Sequence, residues 1–360
     1  MEGLVNSLFW NNKKVLITGH TGFKGGWLAL WLKSKGADVV GYSLDPPSSP
    51  NLFSLAKVSD QILSIKGDIC EYSNLFNVIQ TYKPEIIFHM AAQSLVRRSY
   101  QNPLHTFYVN VMGTVNLFEA VRNTESVKAV VNVTSDKCYE NKEWIWRYRE
   151  NDALGGFDPY SCSKGCAEFV TSSYRNSFFG VDKNRNVGIA SVRAGNVIGG
   201  GDWAEDRLIP DIVRSIISKK PILIRNPFAV RPWQHVLEAL NGYIMIAEKI
   251  YFDENREFCE SWNFGPSEEN EICVKKLVQT IISLWEEDVQ VFFNDQGNLH
   301  EANCLKLDSS KARIKMGWKP KLSFDDTLKW TIDWYKKYQN DRDDVYSVTM
   351  RQIERYENIG

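Results

Sequence analysis

The 360-residue chain has no apolar run long enough to cross a bilayer. Its opening stretch, MEGLVNSLFWNNKK, lacks the basic-then-apolar build of a secretory leader, so a cytoplasmic protein is expected. Charge of either sign is not in excess: the formal net charge is −1, which argues against a general nucleic-acid or membrane-surface role. Histidine is scarce, and the five present do not cluster. Seven cysteines are scattered without a C-x-x-C pair, and Cys162 and Cys166, one helical turn apart, have no histidine nearby. No metal is expected, and the thiols read as reduced and mostly buried. Internal repeats and low-complexity segments are missing too. What remains is a length that suits one large or two modest domains with a sizeable core.

The most informative stretch is Lys14–Trp27, KVLITGHTGFKGGW. Lys14–Thr18 is a short apolar, β-branched run, as in a buried parallel strand. Gly19, Gly22 and Gly25 follow at three-residue spacing, and a helical pattern starts at once with Trp27, Leu28, Leu30, Trp31 and Leu32. A strand running through glycines into a helix gathers backbone N–H groups and the positive helix end at one point, which suits a pyrophosphate. The glycines allow the tight turn and the close approach of a dinucleotide.

Strand-like and helix-like segments then alternate, which calls for an α/β fold with a doubly wound parallel sheet of Rossmann type. Asp38–Ser43 reads as the second strand. Asp45 lies near its end, at the distance where an acidic residue accepts from the adenosine ribose, with Ser43 competing for the place. No arginine stands there, which favours NAD over NADP. Ile62–Ile65 is a third strand. At its end Asp68 can accept from the adenine amine while the Ile69 backbone N–H donates to the ring. A helix over Ser73–Tyr82 leads to a fourth strand, Ile86–His89, followed by Met90-Ala91-Ala92-Gln93, mostly small residues where the chain passes beneath a cofactor. Thr106–Arg122 reads as one helix. Gly113 inside it costs up to about 1 kcal/mol, so close helix–sheet packing is expected there. Ala129–Val133 is the fifth strand and carries Thr134, Ser135, Asp136 and Lys137 at its carboxyl end, where ligands bind in open α/β sheets.

Pro159 opens a helix through about Phe179 that places Tyr160 and Lys164 four apart, on one face. A lysine ammonium beside a phenol is expected to lower the phenol's pKa from about 10, giving a group that exchanges a proton with a substrate hydroxyl during hydride transfer. Val187–Val192 is the sixth strand. After it the alternation stops, and polar residues come in short constellations. Asn196, Arg207, Arg225 and Arg231 could bind an anionic substrate, since guanidinium forks suit a diphosphate. Gln234–Tyr251 reads as a helix returning to the first domain, Asn263–Pro266 as a turn, Val274–Trp285 and Phe324–Tyr338 as helices. The polar stretch from Asn340 to Gly360 reads as loosely packed. The expected organisation is a cofactor domain of residues 1–193, with 234–258 returning to it. A smaller mixed α/β C-terminal substrate domain takes 194–233 and 259–360.

These residues resemble the extended short-chain dehydrogenase/reductases that act on nucleotide sugars, over about Lys13–Tyr338. The resemblance rests on the G-x-x-G-x-x-G triplet, Asp68-Ile69, Ala91-Ala92, Asn110 with Gly113-Thr114, and Tyr160 with Lys164. Gly19–Gly25 (GHTGFKG), Ser135-Asp136-Lys137, Arg193–Trp203 (RAGNVIGGGDW) and Arg231–His235 (RPWQH) are similar to the 4,6-dehydratase branch of that family. That likeness implies CDP-glucose as substrate, and a lyase step in deoxysugar (O-antigen, lipopolysaccharide) synthesis. It implies NAD held by Gly19, Thr21, Gly22, Phe23, Gly25, Asp45, Asp68, Ile69, Ala91, Ala92, Asn110, Tyr160 and Lys164, and substrate held by Gln93, Asn196, Arg207 and Arg231. Tyr160, aided by Ser135, would take the 4-hydroxyl proton, and Asp136 would protonate the leaving 6-hydroxyl. Lys137 would act at C5, where related dTDP-glucose dehydratases carry a glutamate base, either as a neutral base or as a cation that stabilises the enolate. A homodimer or homotetramer pairing Leu104–Val121 with Tyr160–Phe179 is also implied. A nucleotide-sugar 4-epimerase and a non-catalytic NAD-sensing module are the alternatives. The first has no use for Asp136-Lys137, and the second none for Tyr160, Lys164 and Asp136 together.

Overall fold

The computed structural model describes residues 7–180, 185–267, 269, 271–287, 289–294 and 304–359. Met1–Asn6 of the opening stretch and Gly360 of the closing one lie outside the described residues. The strands are β1 (Lys14–Thr18), β2 (Asp38–Ser43), β3 (Leu63–Lys66), β4 (Ile86–His89), β5 (Ala129–Val133), β6 (Gly188–Ala194), β7 (Asn196–Ile198), β8 (Ile222–Arg225), β9 (Val230–His235), β10 (Ser261–Phe264), β11 (Glu271–Cys273) and β12 (Val291–Asn294). Seven of them form one sheet in the order β3-β2-β1-β4-β5-β6-β10, with every pairing parallel. Both faces are covered, as the continuous apolar runs require. Val15, Ile17, Phe88 and Val131 face one core cluster, while Leu16, Ile87, Val130 and Ile189 face another on the opposite side. The strand order reverses between β1 and β4, so a crevice opens there at the carboxyl ends.

Beyond β6 the chain builds two small sheets, β11-β9-β7 and β12-β8. The helix Val236–Tyr251 packs on β5 and β6. Three local expectations change. Asn263 and Phe264, expected to open a turn, instead end the strand Ser261–Phe264, the seventh of the first sheet, which runs parallel to β6 with Asn263 opposite Arg193. The Thr106–Arg122 helix is interrupted. Pro103–Phe107 and Gly113–Arg122 are α-helical, but Tyr108–Met112 widens into a π-helical turn. Gly113 follows directly and lies so close to Ile69 that a Cβ would sit 2.8 Å from its Cγ2. Finally, the C-terminus is packed. Val345–Glu357 is a helix burying Val345, Val348, Ile353 and Tyr356, apolar positions spaced by three to five residues among polar ones. Glu357 accepts from Trp31 Nε1 at 2.7 Å and pairs with Lys35 at 2.5 Å. The cysteines are free, and only Cys138 and Cys259 are fully buried; the other five are half-buried.

Candidate active site

β1 delivers the glycine loop to the crevice. Gly19 has φ +78°, and a Cβ there would stand 2.7 Å from the Ala91 nitrogen. The loop and the Met90–Ala92 segment therefore touch backbone to backbone. Thr18 Oγ1 fastens them by accepting from the Met90 and Ala91 amides at 3.1 and 3.2 Å. A Cβ on Gly25 would lie 2.2 Å from the Gly19 carbonyl oxygen, so the turn closes only with glycine there. The helix Phe23–Ser34 begins at this point, with no acidic residue in its first turn to compete with an anion. Gly19, Thr21, Gly22, Phe23, Gly25, Asp45, Asp68, Ile69, Ala91, Ala92, Tyr160 and Lys164 all line one cleft. This shape and chemistry fit a dinucleotide. Thr21 Oγ1 lies 2.9 Å from Ser43 Oγ and donates to the Leu44 carbonyl, fixing the end of β2. Asp45 lines the rim and is paired with Lys66 at 2.5 Å.

Of two further expected residues, Gln93 lines the cleft and Asn110 lies behind it. Asn110 is buried. It accepts from the Gln93 amide and donates to the Gln93 carbonyl and to Ser163 Oγ, joining the β4 loop to the helix Pro159–Ser177. The Gln93 side chain is also used internally: it donates to the Leu95 carbonyl and to Thr106 Oγ1 and accepts from the Leu95 amide. Both residues shape the wall, and their side-chain N–H groups are used internally, while each amide oxygen accepts a single bond.

Asp158 caps the helix Pro159–Ser177, accepting from the amide and the hydroxyl of Ser161, and so sets the turn that carries Tyr160 and Lys164. Lys164 Nζ donates to the Val133 carbonyl at 3.2 Å. Burial lowers the Lys164 ammonium to about 8, against the opposing pull of Glu168. Tyr160 behaves differently from the sequence expectation. Burial dominates and raises its phenol to about 12, opposed by the Ser135 hydrogen bond and the Arg207 charge and reinforced by Asp136 and Asp158. Desolvation of a phenolate thus outweighs the cations of the protein alone.

Ser135 Oγ donates to Asp136 Oδ1 at 3.0 Å and accepts from the Lys137 amide. Asp136 is 4% exposed, and burial raises its carboxyl above the usual range, with Lys137, Ser135 and Arg231 pulling the other way. A carboxyl biased towards its protonated form, one hydrogen bond from Ser135, can serve as an acid. Arg231, on β9, acts on Asp136 by charge, and Gly195, just ahead of β7, passes so close that a Cβ there would sit 3.4 Å from Asp136 Oδ2. Arg207 lines the cleft itself, donating to Asp202 Oδ2 at 2.9 Å and Ser94 Oγ at 3.3 Å. Arg225 lies farther out, paired with Asp206 at 3.4 Å.

Two features went unread in the sequence. Lys24 lines the cleft, and burial with the Lys164 and Arg207 charges lowers its ammonium to about 7. Its position within the glycine loop was the available signal. Glu168 continues the Tyr160–Lys164 face by another four residues and meets Arg193 in a two-point pair at 2.9 and 2.8 Å, both side chains 2% exposed. It also accepts from Thr134 and Ser191.

The family model described as GDP-mannose 4,6 dehydratase matches residues 16–331. The chain belongs to that family. Among members of this dehydratase family, the chain is 50% identical over 355 residues to CDP-glucose 4,6-dehydratase of Salmonella typhimurium, covering 98% of both chains. Two solved structures share the fold. An epimerase from Methanothermobacter thermautotrophicus aligns with a TM-score of 0.79 at 22% identity, over 93% of this chain and 96% of that one. A dTDP-glucose 4,6-dehydratase from Bacillus anthracis in complex with NAD aligns with a TM-score of 0.76 at 23% identity, over 91% and 98%.

Proposed function

We propose that the chain converts CDP-glucose to CDP-4-keto-6-deoxyglucose by an internal redox cycle on NAD, a lyase step with no net oxidation. The observation that carries this reading is a buried acid, Asp136, hydrogen-bonded to Ser135 at the strand end beside Tyr160. An epimerase needs the oxidising pair but no acid for a departing hydroxyl. The half-identical Salmonella relative supports the CDP-sugar assignment.

Bound NAD supplies the acceptor for the C4 hydride and its return to C6. Tyr160 takes the sugar 4-hydroxyl proton through its contact with Ser135. A phenol raised to about 12 in the protein alone needs positive charge beyond what the protein supplies, and a bound oxidised nicotinamide would bring it. Asp136 protonates the 6-hydroxyl as water leaves. Lys137, whose charge acts on Asp136, serves the C5 proton as base or as cation over the enolate. Arg207 and Arg231 hold the substrate's anionic and polar groups. Residues 1–193 with 234–264 carry the cofactor, and the small sheets and C-terminal helices carry the nucleotide sugar. No helix of the described residues is long and apolar enough to cross a membrane. We place the enzyme in the cytoplasm as a homo-oligomer in deoxysugar (lipopolysaccharide) synthesis. Leu104, Tyr108, Met112 and Phe169 expose apolar surface on the two helices expected to pair.

Incubation with CDP-, dTDP-, UDP- and GDP-glucose, followed by NMR, tests the reading. A 4-keto-6-deoxy sugar from CDP-glucose is the expected product. A C4 epimer, or turnover of another nucleotide sugar in its place, would overturn it.

A further inference from the structure

Asp202 lies in the loop between β7 and the helix Leu208–Ile217 and is 5% exposed. Each oxygen of its carboxylate has a partner: Oδ1 accepts from the Ala204 amide at 3.1 Å and Oδ2 from Arg207 Nη1 at 2.9 Å. Its backbone carbonyl accepts from the Tyr335 hydroxyl at 2.5 Å, and Tyr335 sits fully buried on the helix Phe324–Asn340. The loop itself has little room to shift. Trp27 Nε1 donates to the Gly200 carbonyl at 2.9 Å, a Cβ on Gly200 would overlap the Trp334 ring, and Gly201 has φ +84° against Leu52. From this rigid base Arg207 reaches across the cleft to Ser94 Oγ on the segment after β4. Asp202 and Ser94 occupy one N–H of each terminal nitrogen, and a guanidinium carries five donors, so the remaining ones are open to an anion in the cleft.

We propose that Asp202 is a positioning residue that aims the Arg207 guanidinium at a diphosphate, and that Tyr335 carries this control from the C-terminal helix into the cleft. A free arginine side chain loses considerable rotamer freedom when it binds, and a carboxylate that fixes one edge of the fork removes that cost in advance. Asp202 does this at the expense of net positive charge in the cleft, which a residue chosen only to attract anions would not do. The inference rests on the nucleotide-sugar reading above. The diphosphate belongs either to the nucleotide sugar or to the dinucleotide, and the two share the chemistry that Arg207 recognises.

Titration calorimetry separates the possibilities, with CDP-glucose added to NAD-loaded protein and, separately, NAD added to cofactor-stripped protein. Asp202→Asn keeps the size and the Ala204 contact but loses the charge, and it should weaken one of the two ligands about tenfold, the scale of a charge-assisted hydrogen bond. Arg207→Ala should weaken the same ligand at least as much, and Asp202→Asn added to Arg207→Ala should change nothing further. Tyr335→Phe should act in the same direction by a few-fold, again only while Arg207 is present. Weakened CDP-glucose assigns the contact to the substrate; weakened NAD assigns it to the cofactor. Unchanged affinity for both ligands, or effects that simply add to those of Arg207→Ala, would overturn the proposal. If Asp202→Asn does not fold, the Tyr335→Phe pair of measurements decides in the same way. Wild-type protein that binds CDP-glucose but forms no 4-keto sugar would contradict the functional reading, while the affinity comparison would still decide the role of Asp202.

Discussion

Replacing Glu168 with glutamine keeps the side chain's shape and removes only its charge, behind the site and not in it. The carboxylate lies 2.9 and 2.8 Å from two nitrogens of Arg193, with both side chains 2% exposed, and it also accepts from the Thr134 and Ser191 hydroxyls. Its loss would leave a guanidinium buried without an anion, which costs about 3–5 kcal/mol. The direction of the carboxyl's pKa shift agrees with that scale. Burial alone would raise the pKa, but Arg193 and the two hydroxyls outweigh burial and bring it from 4.5 to about 2. At about 1.36 kcal/mol per pH unit, that drop is worth about 3 kcal/mol. A depressed folded-state value means that this stability is present above pH 4.5 and is lost as the pH falls towards 2. Urea unfolding of wild type and Glu168→Gln at pH 7 should therefore differ by about 3 kcal/mol, and the difference should shrink below pH 4.5. The double variant Glu168→Leu/Arg193→Met should recover much of the loss, since a packed apolar pair can replace a buried ion pair at little cost. A single-variant loss under about 1 kcal/mol, or one that does not depend on pH, would refute the reasoning.

Tyr160→Phe should lower turnover by about two to four orders of magnitude while CDP-glucose still binds, as steady-state rates and calorimetry would show. Asp136→Asn should oxidise C4 and then stall, so that reduced nicotinamide absorbance builds up in a single turnover; normal dehydration would remove Asp136 from the elimination. Lys137→Met should abolish solvent deuterium exchange at C5 if the amine is the base, and only slow it if the ammonium stabilises the enolate. Gly25→Ala would place a methyl 2.2 Å from the Gly19 carbonyl oxygen. The backbone must then shift at about 1–3 kcal/mol, and NAD affinity measured by calorimetry should fall tenfold or more.

Much of the fold was legible because parallel strands buried on both faces must be mostly apolar, and β1, β4 and β5 are, apart from Lys14, Thr18, His89 and Asn132. Asn263-Phe264 was misread because the end of a short strand followed by Gly265-Pro266 carries the same letters as a turn, and only the pairing with β6 distinguishes them. The C-terminal helix was hidden for the opposite reason: its buried positions are few among charges, and their partners, such as Trp31 and Trp330, lie elsewhere in the chain. In the site, the shared helix face of Tyr160 and Lys164 and the strand-end position of Ser135 and Asp136 were legible in the spacing, while their roles rest on the family resemblance. The sign of the Tyr160 shift did not follow, because desolvation depends on burial that no local spacing encodes. The hydrogen bonds that tie Asn110 to Gln93 and Gln93 to Thr106 join segments far apart in the chain, which no local spacing encodes.

The central claim is that one active site removes a hydride from C4 and returns it to C6 of the same sugar. CDP-glucose deuterated at C4, turned over in the presence of excess unlabelled NAD, tests it directly. The account predicts a 4-keto-6-deoxy product carrying the deuterium at C6. Deuterium found in the pool of added cofactor, or a product with no label at C6, would contradict it.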